Sequence, residues 1–236
     1  MSFHDSLAVF AALAADLQQE PDEALTARAV VTRMRELVPE ADHVTLAALR
    51  PRDGLTTLAS TDPVGEELDR LQDTLGEGPA FVVLETVSWA RSGDVRSDRR
   101  WAAWGAAAAE RGVLSSLSIA VHDRDEAFAV INLYSDEAGL FADRDLVDRA
   151  RLYAVHATTA LAATRRTTTL RAAVDSRHVI GMAQGIAMER FGIDRQQSFE
   201  LLRRLSSTSN VKLRDVAVQV VETREFPLER EAQQEG

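Results

Sequence analysis

The chain has 236 residues, 45% hydrophobic and 27% charged, with a net charge of −10 and no cysteine. That length suits one large or two modest domains, and the missing thiols exclude disulfides, cysteine nucleophiles and every thiolate-ligated metal site. No run reaches the roughly 18 uncharged apolar residues that span a bilayer, and the amino-terminal residues lack the basic and apolar regions of a secretory signal, so a cytoplasmic protein without a membrane partner is expected.

Residues 4–19 and 22–38 read as two helices: Leu7, Phe10, Leu13 and Leu17 recur at helical spacing, and Pro21-Asp22 breaks and restarts the pattern. Residues 43–49 and 55–59 are short β-type runs around Arg52, Asp53 and Gly54, a hairpin signal. Residues 63–75 read as a helix, and Gly76-Glu-Gly-Pro79 opens another short one. Trp89 sits in an extended piece, and residues 99–110 form an alanine-rich helix. Residues 113–121 and 127–134 make a second hairpin across Asp123, Arg124 and Asp125. In its first arm Leu117, Ile119 and Val121 alternate with small or polar residues, as a half-buried strand requires.

From residue 142 to residue 180 there is neither glycine nor proline. Val147, Ala150, Ala154, Ala157 and Leu161 follow a 3–4–3–4 spacing, a short heptad-like seam. Two readings stand: a helix packed on its own sheet, or a seam between two copies. The threonine-rich patch at 164–169 is a weak helix point and the expected domain boundary.

Beyond it, Ile180, Ala183, Ala187 and Phe191 define one apolar stripe. Arg177, Gly181, Gln184 and Met188 define a second, mixing a cation, an amide and a glycine. Gly192 stops the helix. Asp194 reads as the N-cap of the next, with Gln197 placed to reach back. Phe199, Leu202 and Leu205 are expected to face inward, with Arg203 and Arg204 flanking them on opposite sides. Residues 206–210 read as a polar turn and 212–223 as a third helix, with Leu213, Val216, Ala217 and Val220 inward. Residues 226–236 read as a disordered tail.

Charge divides the chain. Residues 165–223 hold nine arginines and one lysine against six acids, whereas residues 1–164 hold 15 arginines against 27 acids. A basic segment tethered to an acidic domain is the asymmetry expected when one part meets a polyanion. His43 and His122 have no second ligand at metal spacing, and no nucleophile–base constellation is present. Neither an enzyme nor a metal or cofactor is expected.

Leu68-Asp-Arg-Leu-Gln72, Leu75-Gly-Glu-Gly-Pro79, Asp98-Arg-Arg-Trp101 and Ile131-Asn-Leu-Tyr-Ser135 resemble, in order, segments of the GAF domains of actinobacterial regulators. The resemblance runs over about residues 5–163. It implies a central antiparallel sheet with flanking helices, used for small-molecule sensing or for dimerisation. Many relatives carry a cysteine after the Gly-Glu-Gly-Pro segment; Ala80 stands there here, which removes thiol chemistry. Phe81, Trp89, Trp101 and Trp104 are candidates to line a pocket for an apolar ligand, with burial in the core as the competing reading.

Residues 170–223 resemble the ANTAR domain, the RNA-binding module of transcription antitermination regulators. The matching elements are Ala183-x-Gly185, Met188-Glu-Arg190, Leu202-Arg203 and Asn210-x-Lys212-Leu213. Gln184 replaces a frequent lysine and Ala187 a frequent leucine. The expected architecture is therefore α+β: a GAF-type antiparallel sheet (1–163), joined by a helical linker to an all-α three-helix ANTAR module (164–225), then the tail. The resemblance implies a homodimeric regulator that binds paired RNA hairpins of a nascent transcript. Arg177, Gln184, Arg190, Arg203, Arg204, Asn210, Lys212 and Arg214 are the expected RNA-binding residues, because cations suit phosphates and amides suit exposed base edges. Two alternatives stay open: a DNA-binding helix-turn-helix regulator, against which a turn longer than three or four residues argues, and a small-molecule receptor without nucleic-acid activity.

Overall fold

A computed structural model describes residues 23–50, 53–123 and 126–226. The expected helix over 4–19 and the tips of both hairpins at 51–52 and 124–125 lie outside the described residues, as does the tail beyond Phe226. The chain forms two compact units, Met1–Arg166 and Thr167–Gly236.

The first unit is built on an antiparallel sheet of five strands in the order β2-β1-β5-β4-β3. The strands are β1 (His43–Arg50), β2 (Gly54–Ser60), β3 (Trp89–Ser92), β4 (Ser115–Asp123) and β5 (Glu126–Ser135). Both predicted hairpins form, as β1–β2 and β4–β5, each with a register irregularity. Around the sheet lie α1 (Glu23–Leu37), α2 (Pro63–Leu75), α3 (Pro79–Glu85) and α4 (Ala102–Ala109). The alanine-rich segment begins as a 3-10 turn, Arg99–Trp101, because the Asp98 carboxylate accepts from the Arg100 N–H and caps that turn first. Helix α2 starts at the same kind of cap: Asp62 accepts from the N–H groups of Val64 and Gly65 while it also holds His43 at 2.8 Å.

Period-2 alternation sends side chains to opposite sheet faces. One face carries Leu46, Leu117, Ile119, Ile131 and Leu133 and packs against α1 and the first half of α5 (Arg144–Phe191). Val147, Ala150, Ala154, Ala157 and Leu161 are buried there. The heptad-like seam is thus resolved in favour of the chain's own core: its small side chains let α5 lie close on the sheet, and they are not available to a second copy. Tyr153 on the same stretch donates to the Val30 carbonyl of α1. The basic run read as starting at Arg165 also begins later than expected. Arg165 stacks on Phe128 at 4.4 Å and Arg166 is paired with Asp123 at the end of β4, both within the first unit.

The other face packs against α2, α3 and α4 around Leu68, Trp101, Trp104 and Tyr134. At Gly105 the backbone of α4 passes so near Val95 that an added Cβ would stand 2.1 Å from the Val95 carbonyl oxygen. Backbone cannot give way as a flexible side chain can. Gly105→Ala is therefore expected to destabilise the first unit by about 3 kcal/mol, the upper range of overpacking costs, measured by denaturant melting.

The helix α5 runs unbroken through the threonine patch for 48 residues. Thr164 returns its hydroxyl to the Ala160 carbonyl, which lets the helix tolerate a residue that otherwise competes with it.

In the second unit, the end of α5 packs with α6 (Arg195–Ser209) and α7 (Leu213–Thr223). The core is Ala183, Ala187, Leu202, Leu205, Val216, Ala217, Val220 and Phe226. Phe226, read from sequence as the start of a disordered tail, is 1% exposed and meets Phe191 edge-on at 4.9 Å. It supplies apolar volume to a core otherwise rich in alanine.

Candidate nucleic-acid interface

The cap that starts α6 forms as the spacing predicts. Asp194 accepts from the Gln197 N–H at 2.8 Å, and the Gln197 side chain accepts from the Asp194 N–H at 3.0 Å. The helix then runs four residues further than expected. Ser209 donates to the Leu205 carbonyl and Asn210 takes a left-handed conformation, φ 54°, that closes the helix. The connection to α7 is therefore only Asn210–Lys212, three residues. This corrects the expectation of a long polar turn: turn length does not argue against a helix-turn-helix.

Phe199 is also corrected. It is 41% exposed, and Ser198 takes the buried position beside Leu202 and Leu205. At 100° per residue, Arg195, Phe199 and Arg203 fall along one flank of α6, each four residues from the next. That flank borders an open groove of about 620 Å³ against α5, lined by Arg177, Gly181, Gln184, Arg195, Gln196 and Phe199. Three members of the polar α5 stripe thus meet two residues, Arg195 and Phe199, that sequence reasoning did not assign to binding. The i, i+4, i+8 spacing of Arg195, Phe199 and Arg203 is the signal that finds them.

Gln184 is held within the groove. Its amide nitrogen donates to the Arg195 carbonyl at 2.9 Å and faces the Ser198 hydroxyl at 3.4 Å. Arg204 lies on the opposite flank of α6, in a separate apolar groove with Phe191, Leu201 and Phe226. Arg190 has an internal role: its guanidinium donates to the Arg224 carbonyl at the end of α7, where Arg224 adopts φ 60°. Asn210 is the helix cap just described, and Lys212 and Arg214 are exposed at the start of α7. Among the described residues, the side chains of Arg177, Arg203, Arg204, Lys212 and Arg214 make no ion pair or hydrogen bond within the chain.

The four aromatic candidates Phe81, Trp89, Trp101 and Trp104 do not lie on one face of the sheet. Trp101 and Trp104 are buried and meet edge-on at 6.5 Å, with the Trp104 indole donating to the Leu68 carbonyl. Phe81 is half-buried on that same face. Trp89 packs on the opposite face, under the Arg151 guanidinium at 4.8 Å.

A GAF domain model matches residues 20–162, more than half of the chain, and an ANTAR domain model matches residues 168–221. The chain belongs to the GAF domain family and carries an ANTAR domain. ANTAR is an RNA-binding antitermination domain and GAF a small-molecule-sensing domain; both are regulatory rather than catalytic. No curated protein matches.

Solved structures share the fold of the GAF unit. The GAF domain of a phosphoenolpyruvate-protein phosphotransferase from Coxiella burnetii is 18% identical over 70% of this chain and 96% of its own, with a TM-score of 0.54. The corresponding GAF domain from Acinetobacter is 13% identical over 70% and 97%, with a TM-score of 0.53. Free methionine-R-sulfoxide reductase from Neisseria meningitidis, solved with its substrate, is 13% identical over 69% and 89%, with a TM-score of 0.52. No helix among the described residues is long and apolar enough to cross a membrane.

In the GAF unit, Ala80 is buried with its N–H donating to the Gln72 side-chain oxygen at 2.8 Å. The polar interior nearby is self-contained. Asp69, fully buried between α2 and the sheet, accepts from Tyr134, Asn132, Thr45 and Thr57 at 2.7–3.1 Å. Burial pushes its carboxyl up to about 6, although those four hydrogen bonds pull the other way. Tyr134 is raised well above its ordinary value by burial and by the neighbouring Asp69 charge.

Proposed function

We propose that this protein is a transcription antitermination regulator whose ANTAR unit binds paired hairpins of a nascent RNA, as a homodimer, under the influence of a small molecule sensed by the GAF unit. The observation that carries this reading is the exposed set Arg177, Arg203, Lys212 and Arg214 in a unit matched as ANTAR, with side chains unengaged among the described residues. Binding to an antiterminator hairpin would stabilise it by mass action and depopulate the competing terminator.

Two hairpins suit two copies, because the second contact becomes intramolecular. With the 147–161 seam buried, a dimer needs another surface. Leu170 and Val174, one turn apart on α5 and 68% and 64% exposed, are the best placed.

The test compares two-hairpin RNA, single-hairpin RNA and duplex DNA against the intact protein across salt concentrations. Two-hairpin RNA is expected to bind tightest and as a dimer by sedimentation. The log–log salt slope should be a multiple of roughly −0.7 per phosphate contacted on single strands. Tighter binding of duplex DNA would overturn the reading. The exposed side of α7 carries Asp215 and Glu222, which poorly suits insertion into a DNA groove.

A further inference from the structure

The geometry points to the groove between α5 and α6 as a pocket for one unpaired RNA base, stacked on Phe199 and read by the Gln184 side-chain oxygen. This inference rests on the RNA-binding reading and adds to it the class of group that the groove accepts.

Three observations carry it. First, the orientation of Gln184 is fixed by chemistry. The Arg195 carbonyl can only accept, so the amide NH2 must face it, at 2.9 Å. The side-chain oxygen is then the atom left to meet a ligand, and it can only accept a hydrogen bond. A phosphate, itself an acceptor, cannot bind there; a base edge carrying an amino group can.

Second, Phe199 is a large aromatic ring left 41% exposed on a unit whose core has room only for the other flank of α6. Unpaired bases are held on such rings, and every base offers a flat face to one.

Third, cations stand on both walls. Arg177 on α5 and Arg195 on α6 line the same groove, and Gly181 between them opens the α5 wall, with nothing within 4 Å of where a Cβ would be. The volume, about 620 Å³, lies within the ordinary range of small-molecule clefts, roughly 300–1,000 Å³. An aromatic platform, an acceptor and two guanidiniums match the base, its amino edge and the flanking phosphates of one splayed nucleotide. By contrast, the groove beside Arg204 is lined mainly by apolar residues and includes Glu200, which opposes a phosphate.

The experiment uses the full chain and two-hairpin RNAs with identical stems, their loops built either of adenosine or of purine riboside, which lacks the amino group. Wild-type protein is expected to prefer adenosine loops by roughly tenfold, the size of one hydrogen bond to a neutral partner. Phe199→Ala should weaken adenosine-loop binding by roughly ten- to a hundredfold while leaving the salt slope unchanged, since no phosphate contact is lost. Phe199→Trp should retain binding. Gln184→Lys replaces the acceptor by a donor and should erase the preference between the two loops while steepening the salt slope.

Equal wild-type affinity for the two loops, or full binding by Phe199→Ala, overturns the pocket and leaves the RNA reading intact. Failure of wild-type protein to bind either RNA overturns both. The comparison of the two loops needs no variant, so a folding defect in Phe199→Ala does not blunt the test.

Discussion

Reversing charge at Arg177 and Arg203 together is expected to weaken hairpin binding by at least about a hundredfold at 0.15 M salt. The size follows from counterion release. A slope of roughly −0.7 per phosphate gives each contact about a factor of four at that ionic strength. Replacing arginine by glutamate removes that contact and adds a repulsion of similar magnitude, so each reversal is worth roughly a factor of fifteen. Both residues border the groove side of the unit: Arg177 lines it, and Arg203 extends the flank that carries Arg195 and Phe199. Arg204→Glu is the informative comparison. Its side chain lies on the other flank, beside Phe191 and Phe226, and its reversal is expected to cost less than that of Arg203. Fluorescence anisotropy with a labelled two-hairpin RNA measures all three. Equal losses at 203 and 204 would mean that the RNA spans both flanks of α6. Circular dichroism should be unchanged throughout, because all three guanidiniums are exposed and make no side-chain bond among the described residues.

Features set by local chemistry were legible in the sequence. The Asp194–Gln197 capping box needs only four consecutive residues and formed as read. Helix α2 begins at Pro63 and ends at Leu75 because Asp62 caps one end and Gly76, at φ 64°, closes the other. Both hairpins and the inward positions of Val216, Ala217 and Val220 followed from periodicity.

Readings stay open or fail where two long-range outcomes share one pattern. The 147–161 seam has the spacing of both a coiled coil and a helix lying on a sheet, and only the sheet decides between them. Periodicity places Phe199 inward because it is apolar, yet the core of so small a unit is filled by alanines, Leu202, Leu205, Val216, Val220 and Phe226. The serine-rich end of α6 reads as a polar turn, but Ser209 turns its hydroxyl to the Leu205 carbonyl within the helix and Ser206 to the Val211 carbonyl in the connection beyond it. Of the candidate RNA residues, Arg190 illustrates the limit: nothing local tells an arginine that faces a ligand from one that closes a neighbouring helix. The Asp69 network was invisible for the same reason, since its partners Thr45, Asn132 and Tyr134 lie 24, 63 and 65 residues away.

That network makes the stability of the GAF unit depend on pH in an unusual sense. The Asp69 carboxyl titrates near 3.8 when unfolded and is raised to about 6 by burial in the folded chain. A raised carboxyl binds its proton more tightly folded than unfolded. Its contribution to stability is therefore complete below pH 3.8 and is lost as pH rises through about 6. The loss amounts to about 3 kcal/mol, from 1.36 kcal/mol per unit of displacement, for a group with no cation beside it in the network. Asp69→Asn is expected to abolish this slope. Its oxygen can accept from Tyr134, Asn132 and Thr45 as before, and its amide can donate to the Thr57 hydroxyl, which rotates to accept. The variant should thus match or exceed the wild type in stability at pH 7 and lose that advantage at pH 4. Asp69→Ala instead strands the buried Tyr134 hydroxyl and Asn132 amide and should cost about 3–5 kcal/mol at pH 4, a cost that shrinks by about 3 kcal/mol at pH 7, where the wild type has itself lost the Asp69 contribution. Urea unfolding from pH 4 to pH 7.5 separates the cases, since other titrating groups cancel in the difference between wild type and Asp69→Asn. A parallel pH profile in the two would show that the Asp69 carboxyl does not change its protonation between the folded and unfolded states in this range, and that its four hydrogen bonds fully offset the cost of burying its charge.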